Sequence, residues 1–135
     1  MTQENKNLLL KDLCARLPYG VKIMFSHNGF RWDYEQTLDN ITKCDDGEYA
    51  INGWGIHGIK PYLRSMSNMT EEECITLSKL IPYETNVWKY IKTPVPLYIA
   101  NIEQFDFFHS HHLDWRGLIS KGLALEAPKN MYDNE

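Results

Sequence analysis

Apolar residues near the start of the chain recur with the spacing of an amphipathic helix. Between residues 3 and 17 they return every three or four positions, which aligns them on one helix face. Thr2 stands at a suitable N-cap position, and Pro18 disfavours helical backbone at the residue before it. The pattern therefore predicts a helix over residues 3–17. Its buried face is expected to hold Lys6, Leu9, Leu10, Leu13, Cys14 and Leu17.

Alternating apolar and polar residues on both sides of Asn28-Gly29 predict a β-hairpin. Asparagine and glycine tolerate the positive φ angles of a two-residue type I′ turn. With that turn, one face of the hairpin is aromatic and aliphatic and the other is mostly polar, as a half-buried antiparallel pair requires. We expect Trp32 to be largely buried. The predicted pairs are His27 with Phe30, Ser26 with Arg31, Phe25 with Trp32, Met24 with Asp33 and Ile23 with Tyr34.

Two more strands are predicted after the hairpin. They lie near residues 37–43 and from residue 48 onward, are separated by an Asp-Asp-Gly turn, and extend the hairpin into a meander. Glycines between residues 53 and 58 interrupt the alternation and predict a bulge or the end of a strand. Residues 60–63 are expected to leave the sheet.

Two capping boxes predict two further helices. Residues 70–73 (Thr-Glu-Glu-Glu) open a helix over about residues 71–80, and residues 101–104 (Asn-Ile-Glu-Gln) open another over about 102–112. Between the helices, residues 83–100 contain two prolines and predict an edge strand or an ordered loop. The side chains expected to be buried by these helices are Cys74, Ile75, Leu77, Ile81, Ile102, Phe105, Phe108 and parts of His109 and His112.

The order of these elements predicts an α+β fold. A helix, a small antiparallel sheet, two more helices and an extended C-terminal piece are typical of helices packed against one face of a sheet. We expect a single domain over residues 1–128, because a chain of 135 residues can bury an adequate core. Residues 129–135 are expected to be a flexible polar tail.

Composition and charge exclude several classes of function. The net charge of −4 argues against generic binding to nucleic acid or anionic lipid. The start of the chain is too polar for a signal peptide, and the apolar runs are shorter than the roughly 20 residues of a membrane-spanning helix. Three cysteines without a C-x-x-C pair indicate reduced thiols. We therefore expect a cytoplasmic protein without a cofactor, a membrane partner or a nucleic-acid partner.

The densest cluster of metal-ligating residue types lies at residues 109–114 (His-Ser-His-His-Leu-Asp). Imidazole nitrogens and a carboxylate there could serve a small metal-dependent hydrolase or a metal-binding protein. Helical spacing opposes this hypothesis, because it turns His111 away from His109 and His112. The alternative is structural, with His112 packed at the helix C-terminus, and we expect no bound metal. The ligands of the metal hypothesis would be His109, His112 and Asp114, with His57 as a remote addition.

Tryptophans mark two candidate binding surfaces. Trp54 and Trp88 are candidates for an exposed apolar patch, because the aromatic residues exceed what one small core is expected to hide. Trp115 with Arg116 could anchor a partner or an anion. The alternative there is internal. Asp114 would accept backbone N–H groups, Trp115 would enter the core and Arg116 would pair locally.

Three segments of the chain resemble a known protein family. They are residues 8–21 (LLLKDLCARLPYGV), residues 59–73 (IKPYLRSMSNMTEEE) and residues 112–128 (HLDWRGLISKGLALEAP). The family comprises short uncharacterised proteins of gut Bacteroides-type bacteria, their phages and their mobile elements. Residues 22–58 and 75–100 depart from its pattern. The resemblance implies an association with phages or mobile DNA, and it implies no particular reaction because the family has no established activity.

These observations favour a non-enzymatic protein-binding or accessory module. The sequence shows no complete catalytic constellation, and the enzyme alternative rests on the histidine cluster alone. The expected partner is another protein or a second copy of the chain. The candidate binding residues are Trp54, Trp88, Trp115 and Arg116.

Overall fold

A computed structural model of the chain describes residues 1–27, 30–80 and 102–132. These residues form an α+β fold with three α-helices and two small β-sheets, which confirms the predicted fold class. None of the helices in these three ranges has the length and apolar character that crossing a bilayer requires. The helices are α1 (Gln3–Arg16), α2 (Glu71–Lys79) and α3 (Ile102–Ser110), and the strands are β1 (Lys22–His27), β2 (Phe30–Thr37), β3 (Ile41–Lys43), β4 (Tyr49–Ile51), β5 (Trp54–Gly55), β6 (Ile59–Leu63) and β7 (Leu125–Glu126).

Side-chain caps set the starts of α1 and α2. The Thr2 hydroxyl accepts the Asn5 backbone N–H at 3.1 Å, so Thr2 caps α1 as predicted. At α2 the Thr70 hydroxyl accepts the Glu73 N–H at 3.1 Å, and the Glu73 carboxylate accepts the Thr70 N–H at 2.9 Å. The predicted capping box is therefore present. The predicted cap of α3, Asn101, lies outside the described residues.

The larger sheet has the strand order β2-β1-β6-β7. β1 is antiparallel to both β2 and β6, and β7 runs parallel to β6. The predicted departure of residues 60–63 from the sheet is therefore wrong. Leu63 O accepts the Ala127 N–H from the β7 side. Residues two apart in a strand direct their backbone groups to the same side, so Pro61, like Leu63, faces β7. β7 begins only opposite Tyr62. The N–H that proline lacks is therefore not needed for the β6–β7 ladder.

The smaller sheet consists of β3, β4 and β5, paired antiparallel in that order. The predicted meander, in which these strands continue the hairpin, is therefore wrong. Among the described strands β3 does not pair with β2, and the larger sheet grows on the other side of the hairpin, where β6 pairs with β1. Strands that follow one another in sequence are neighbours only about two-thirds of the time, and nothing local to β3 distinguishes the two arrangements.

The β1–β2 hairpin keeps the predicted register next to its turn and departs from it further away. The observed pairs are His27 with Phe30, Ser26 with Arg31, Met24 with Glu35 and Ile23 with Gln36. The first two pairs match the prediction. The last two are shifted by two residues, because a bulge in β2 lies opposite Phe25, and a shift of two keeps each side chain on its face. The turn at residues 28–29 and the side chain of Trp32 lie outside the described part of the chain.

Asn52-Gly53 forms a hairpin turn between β4 and β5. The φ angles of +51° and +86° at these two residues are those of a type I′ turn. The prediction of a bulge or strand end at Gly53 missed this turn. The Asn52 side chain also holds the end of β2 against the smaller sheet, because its Nδ2 donates to Thr37 O at 2.9 Å. Its Oδ1 accepts the N–H groups of Asp39 and Asn40 at 2.9 and 3.1 Å.

Buried apolar side chains form two clusters. The first combines α1 with strands of both sheets and residues 118–124, and the second combines α2 with α3. Their buried members are Leu9, Leu13, Val21, Ile23, Phe25, Leu38, Ile51, Ile56, Ile59, Leu63, Leu118, Leu123 and Ala124 in the first, and Met69, Cys74, Leu77, Phe107, Phe108 and Leu113 in the second.

Three side chains predicted to be buried are exposed. Cys14 is exposed, and the exposed fractions of Ile75 and Ile102 are 49% and 78%. In α1 the buried face is rotated toward two charged residues, Asp12 and Arg16, which neutralise each other there. In α3 the buried face of the helix does not include Ile102. The buried residues of α3 are Gln104, Phe107, Phe108 and His109.

Candidate functional site

His109, the first residue of the predicted histidine cluster, is held by an internal contact. It is buried, and its Nε2 accepts the indole N–H of Trp115 at 2.9 Å. Burial, with the nearby charge of Arg16, lowers the pKa of His109 to about 4. The ring is therefore neutral at pH 7 and carries its proton on Nδ1.

His112 closes the C-terminus of α3. The Leu113 N–H donates to Phe108 O at 2.8 Å, and the His112 N–H donates to His109 O at 3.2 Å. With φ +59° at His112, these bonds form a Schellman motif, which ends the helix two residues before the predicted end. The His112 ring stacks on Tyr132, and the ring centroids are 3.8 Å apart.

Asp114 organises the loop that follows. Its carboxylate accepts the N–H groups of Leu118 and Ile119 at 2.8 and 3.0 Å. The remote candidate ligand His57 is exposed. Within the described ranges, no three His, Cys, Asp or Glu side chains are placed to hold one metal ion. Within these ranges the candidate ligands therefore do not converge on one point where they could bind a metal ion together.

Trp115 and Arg116 make contacts within the chain. The Trp115 ring centroid lies 4.7 Å from that of Phe105, and the Arg116 guanidinium stands 4.1 Å above the Trp115 ring. Arg116 Nε donates to Asp12 Oδ1 at 3.1 Å, across 104 residues of sequence. Trp115 packs against other residues of the chain, and Arg116 pairs within the chain, as the internal alternative predicts. The partner of Arg116 is distant in sequence, whereas that alternative expected a local one.

Trp54 is the described member of the predicted apolar patch, since Trp88 lies outside the described residues. Its side chain is 38% exposed and stacks on Phe25, with the ring centroids 4.5 Å apart. The exposed part of Trp54 stays a candidate binding surface.

A buried ionic cluster that the sequence analysis missed joins α1 to residues 113–116. Asp12 Oδ2 and Arg16 Nε are 2.7 Å apart, and both side chains are fully buried. Arg16 Nη2 also donates to Leu113 O at 2.6 Å, and Arg116 is a second cation on Asp12. The spacing of four residues between opposite charges was visible in the sequence. Such pairs usually lie on a solvated helix face, so the spacing alone does not predict burial.

A polar cleft of about 890 Å³ lies between segments that are far apart in sequence. One side is formed by residues 64–73 with His111 beside them, and the other side by residues 126–132. We name it the Arg64 cleft. Its charged lining residues are Arg64, Glu72, Glu73, Glu126 and Lys129. It is the candidate functional site, because it gathers charged groups and a histidine in a concave surface.

The floor of the Arg64 cleft is an ion pair in which both Nη groups of the arginine and both oxygens of the carboxylate bond within the chain. Arg64 Nη1 and Nη2 donate to the two carboxylate oxygens of Glu73 at 2.7 and 2.6 Å. They also donate to the carbonyls of His111 and Asn68 at 3.1 and 3.3 Å. Glu73 accepts two further bonds, from the Thr70 N–H and the His111 ring. Burial alone would raise the pKa of Glu73, but its hydrogen bonds outweigh burial and hold the pKa well below its usual range.

The Glu73 carboxylate orients the imidazole ring of His111. An ionised carboxylate only accepts hydrogen bonds, so the 2.8 Å contact between them comes from the Nδ1–H of the imidazole. The ring also stacks on Phe107, with centroids 4.1 Å apart, and it lines the cleft. The Arg64 cleft therefore contains an imidazole held by contacts on two sides.

The second side of the cleft is a C-terminal strap, residues 126–132. β7 holds one end of the strap against β6. At the other end the Tyr132 hydroxyl donates to Tyr62 O at 2.7 Å and accepts the Lys22 N–H at 3.0 Å. The last β1–β6 pair is Ile23 with Pro61, and the next pair along the ladder would be Lys22 with Tyr62. The Tyr132 hydroxyl therefore bridges the two backbone groups that would otherwise bond to each other. The prediction of a flexible tail from residue 129 missed this anchor.

Replacing Tyr132 with phenylalanine is expected to lower the free energy of unfolding by about 1–3 kcal/mol, because two part-buried backbone groups lose their partner. Phenylalanine keeps a ring that can stack on His112. Urea denaturation followed by circular dichroism measures the loss. The half-buried Tyr49, whose hydroxyl has no hydrogen bond among the described residues, gives the control Tyr49→Phe. Equal losses in the two variants would contradict the anchoring role.

Of the two residues that form the cleft floor, the sequence analysis singled out Glu73 and missed Arg64. The capping box identified Glu73, and helical spacing separated His111 from His109 and His112. Arg64 gave no signal, because its contacts reach a distant segment: its carbonyl accepts the Asp114 N–H at 2.8 Å. The assembled cleft follows from the tertiary fold.

Comparisons with known proteins show no family for this chain. No protein-family profile matches it, and no solved structure matches it. A cobyric acid synthase from a Sinorhizobium species is 33% identical over 82 residues, which covers 58% of this chain. The chain spans 15% of the length of that enzyme. A match of this extent does not carry the activity of the enzyme to this chain.

Proposed function

We propose that the protein is a cytoplasmic, non-enzymatic binding module that holds a segment of another protein in the Arg64 cleft. One observation carries the proposal: both Nη groups of Arg64 and both carboxylate oxygens of Glu73 are held by hydrogen bonds within the chain itself. A partner therefore meets a surface that is already ordered, which reduces the conformational entropy lost on binding.

The side chains of the cleft support binding over covalent catalysis. Of the described side chains that line it, none is a serine or a cysteine. The Thr70 hydroxyl serves the α2 cap, and the Tyr132 hydroxyl serves the β1–β6 ladder. Within the described cleft His111 therefore has no serine, cysteine or unengaged hydroxyl beside it that a histidine base could activate as a nucleophile.

The charges of the cleft support a protein partner over a nucleic acid. Glu72, Glu73 and Glu126 line it, against Arg64 and Lys129. Arg64 is neutralised by Glu73, so the remaining field is weakly negative and disfavours phosphate groups. The resemblance to phage and mobile-element proteins supports an accessory role for such a module.

Affinity capture from cells of the organism that encodes the chain tests the proposal with a variant that fills the cleft. Ala127→Trp places a bulky ring at the strap, and the matched control Lys43→Trp adds the same ring at an exposed site that does not line the cleft. Wild type and Lys43→Trp are expected to retain the same protein, and Ala127→Trp is expected to lose it while its circular dichroism is unchanged.

The proposal fails if folded Ala127→Trp retains every protein that wild type retains. Self-association is a separate outcome of the same design. If the captured protein is a second copy of the chain, sedimentation of wild type will show a dimer that Ala127→Trp lacks.

A further inference from the structure

We propose that Asn52 is a modification site, at which deamidation disables chains that have opened between the two sheets. The proposal is independent of the Arg64 cleft. It rests on the Asn-Gly turn between β4 and β5, on the contacts that hold the Asn52 amide in the folded chain, and on the effect that the deamidated product has on those contacts.

An asparagine that precedes glycine deamidates readily, because glycine has no side chain to shield its backbone nitrogen. That nitrogen attacks the side-chain carbonyl carbon of the asparagine and closes a succinimide ring. The side-chain nitrogen leaves as ammonia and takes the proton of the attacking nitrogen. Water then opens the ring at one of its two carbonyls, which gives aspartate or isoaspartate. Gly53 is exposed, and a Cβ built on it meets nothing within 4 Å, so the surroundings of the turn leave room for this reaction.

In the folded chain both ends of the Asn52 amide are engaged. Its Nδ2 donates to Thr37 O at 2.9 Å and to Gln36 Oε1 at 3.3 Å. Its Oδ1 accepts the N–H groups of Asp39 and Asn40 at 2.9 and 3.1 Å. We name these four contacts the Asn52 joint. The backbone N–H of Asn52 adds a bond to Asn40 O at 2.9 Å.

The Asn52 joint protects the amide from attack. Ring closure turns the planar amide carbon into a tetrahedral one and draws it onto the backbone of the turn, so the amide cannot keep these contacts while it reacts. The joint connects the end of β2, in the larger sheet, to the β4–β5 turn of the smaller sheet. Deamidation therefore requires a local or global opening of the chain at this boundary.

The product cannot restore the Asn52 joint. Aspartate keeps the turn, since Asp-Gly also favours type I′, but it replaces the donor Nδ2 with a second carboxylate oxygen. The oxygen that faces Asp39 and Asn40 still accepts their N–H groups. The other oxygen lies against the carbonyl of Thr37, which β2 holds in place, and no proton stands between these two acceptors. Isoaspartate also lengthens the backbone of the turn by one atom, so it loses the turn as well.

Peptide mapping of the whole chain tests the protection. Wild type is kept at mildly alkaline pH either in buffer or in urea that unfolds it, and tryptic peptides are then followed by mass spectrometry. Trypsin places the two Asn-Gly pairs in separate peptides, residues 23–31 and 44–64, and each peptide contains one asparagine. In urea we expect conversion at both Asn28 and Asn52. In buffer we expect conversion at Asn52 to be at least tenfold slower than in urea.

A matched pair of variants tests the effect of the product. Asn52→Asp reproduces the aspartate product. Asn40→Asp adds the same charge at an exposed neighbour, and it keeps the oxygen that accepts the Thr42 hydroxyl at 3.5 Å. In urea denaturation we expect the folding equilibrium constant of Asn52→Asp to fall at least about fivefold further than that of Asn40→Asp, because two donated bonds are lost. An Asn52→Asp chain that does not fold, beside a folded Asn40→Asp chain, is the extreme form of this result.

Three results would overturn the proposal. Equal conversion of Asn52 in buffer and in urea would show that the folded joint gives no protection. Conversion of Asn28 alone in urea would show that Asn52 is not a modification site. Equal stability of Asn52→Asp and Asn40→Asp would show that deamidation leaves the joint intact.

Discussion

Replacing Asp12 with alanine is expected to lower the free energy of unfolding by about 3–5 kcal/mol, because breaking a buried ion pair leaves a charge in the core. Asp12 is fully buried and faces two cations. Arg16 Nε lies 2.7 Å from one carboxylate oxygen, and Arg116 Nε lies 3.1 Å from the other. Urea denaturation at pH 7 measures the loss. The exposed Asp45 gives the control Asp45→Ala, for which a change within about 0.5 kcal/mol is expected.

A double variant tests whether the loss of stability comes from the lost contacts of Asp12 or from the unpaired charge that its removal leaves on Arg16. Asp12→Leu combined with Arg16→Met removes both charges and fills their volume with apolar atoms. Replacing a buried ion pair in this way is often neutral or stabilising, so we expect the double variant to be more stable than Asp12→Ala by at least about 1 kcal/mol. A double variant that is less stable than Asp12→Ala would show that the charges themselves hold α1 against residues 113–116.

The second large effect is a loss of stability on acidification through His109. Its pKa is about 4 in the folded protein against an ordinary value of 6.5, so the unfolded chain binds more protons between those two values. The contribution of the neutral ring is complete above pH 6.5 and is lost as the pH falls toward 4. From these values, we expect a loss of about 2 kcal/mol between pH 7 and pH 5.

His109→Gln isolates this effect. Glutamine can still accept the Trp115 indole N–H through its side-chain oxygen, and it does not titrate. The free energy of unfolding of wild type should therefore fall by about 2 kcal/mol more than that of His109→Gln between pH 7 and pH 5. The depressed pKa of Glu73 acts in the same direction at lower pH, from its ordinary value of 4.5 downward, because there the unfolded chain takes up the proton that the folded carboxylate still excludes. Parallel curves for the two proteins would contradict the assignment to His109.

Local signals predicted the elements whose cause is local. Thr2 and Thr70 cap their helices as the sequence indicates, since a cap depends on residues three positions apart. The hairpin register is correct beside its turn, where the turn sets it. Asn52-Gly53 carries the same turn signal as the first hairpin, so the second hairpin could have been predicted from the sequence.

Pairings over long distances could not be predicted in this way. β3 pairs with β4 in a separate sheet and does not extend β2, and the second neighbour of β1 is β6, an arrangement decided by the packing of the whole core. The burial of Asp12 and Arg16 depends on Leu113 O and Arg116, which no pattern within α1 can reveal. The Arg64 cleft is hidden from the sequence for the same reason, because its two sides meet only when the strap docks.

The ionic cluster of α1 has a consequence for folding during synthesis. The partners of Arg16 and Asp12 lie 97 and 104 residues further along the chain, at Leu113 and Arg116. Until those residues leave the ribosome, α1 cannot complete its buried contacts, and its apolar residues lack most of their final neighbours. Contacts of such high separation slow folding and prolong the exposure of unpaired apolar surface. α1 is made before the other described helices and is therefore among the last of them to complete its docking, so a chaperone that shields nascent chains has a long time to bind it.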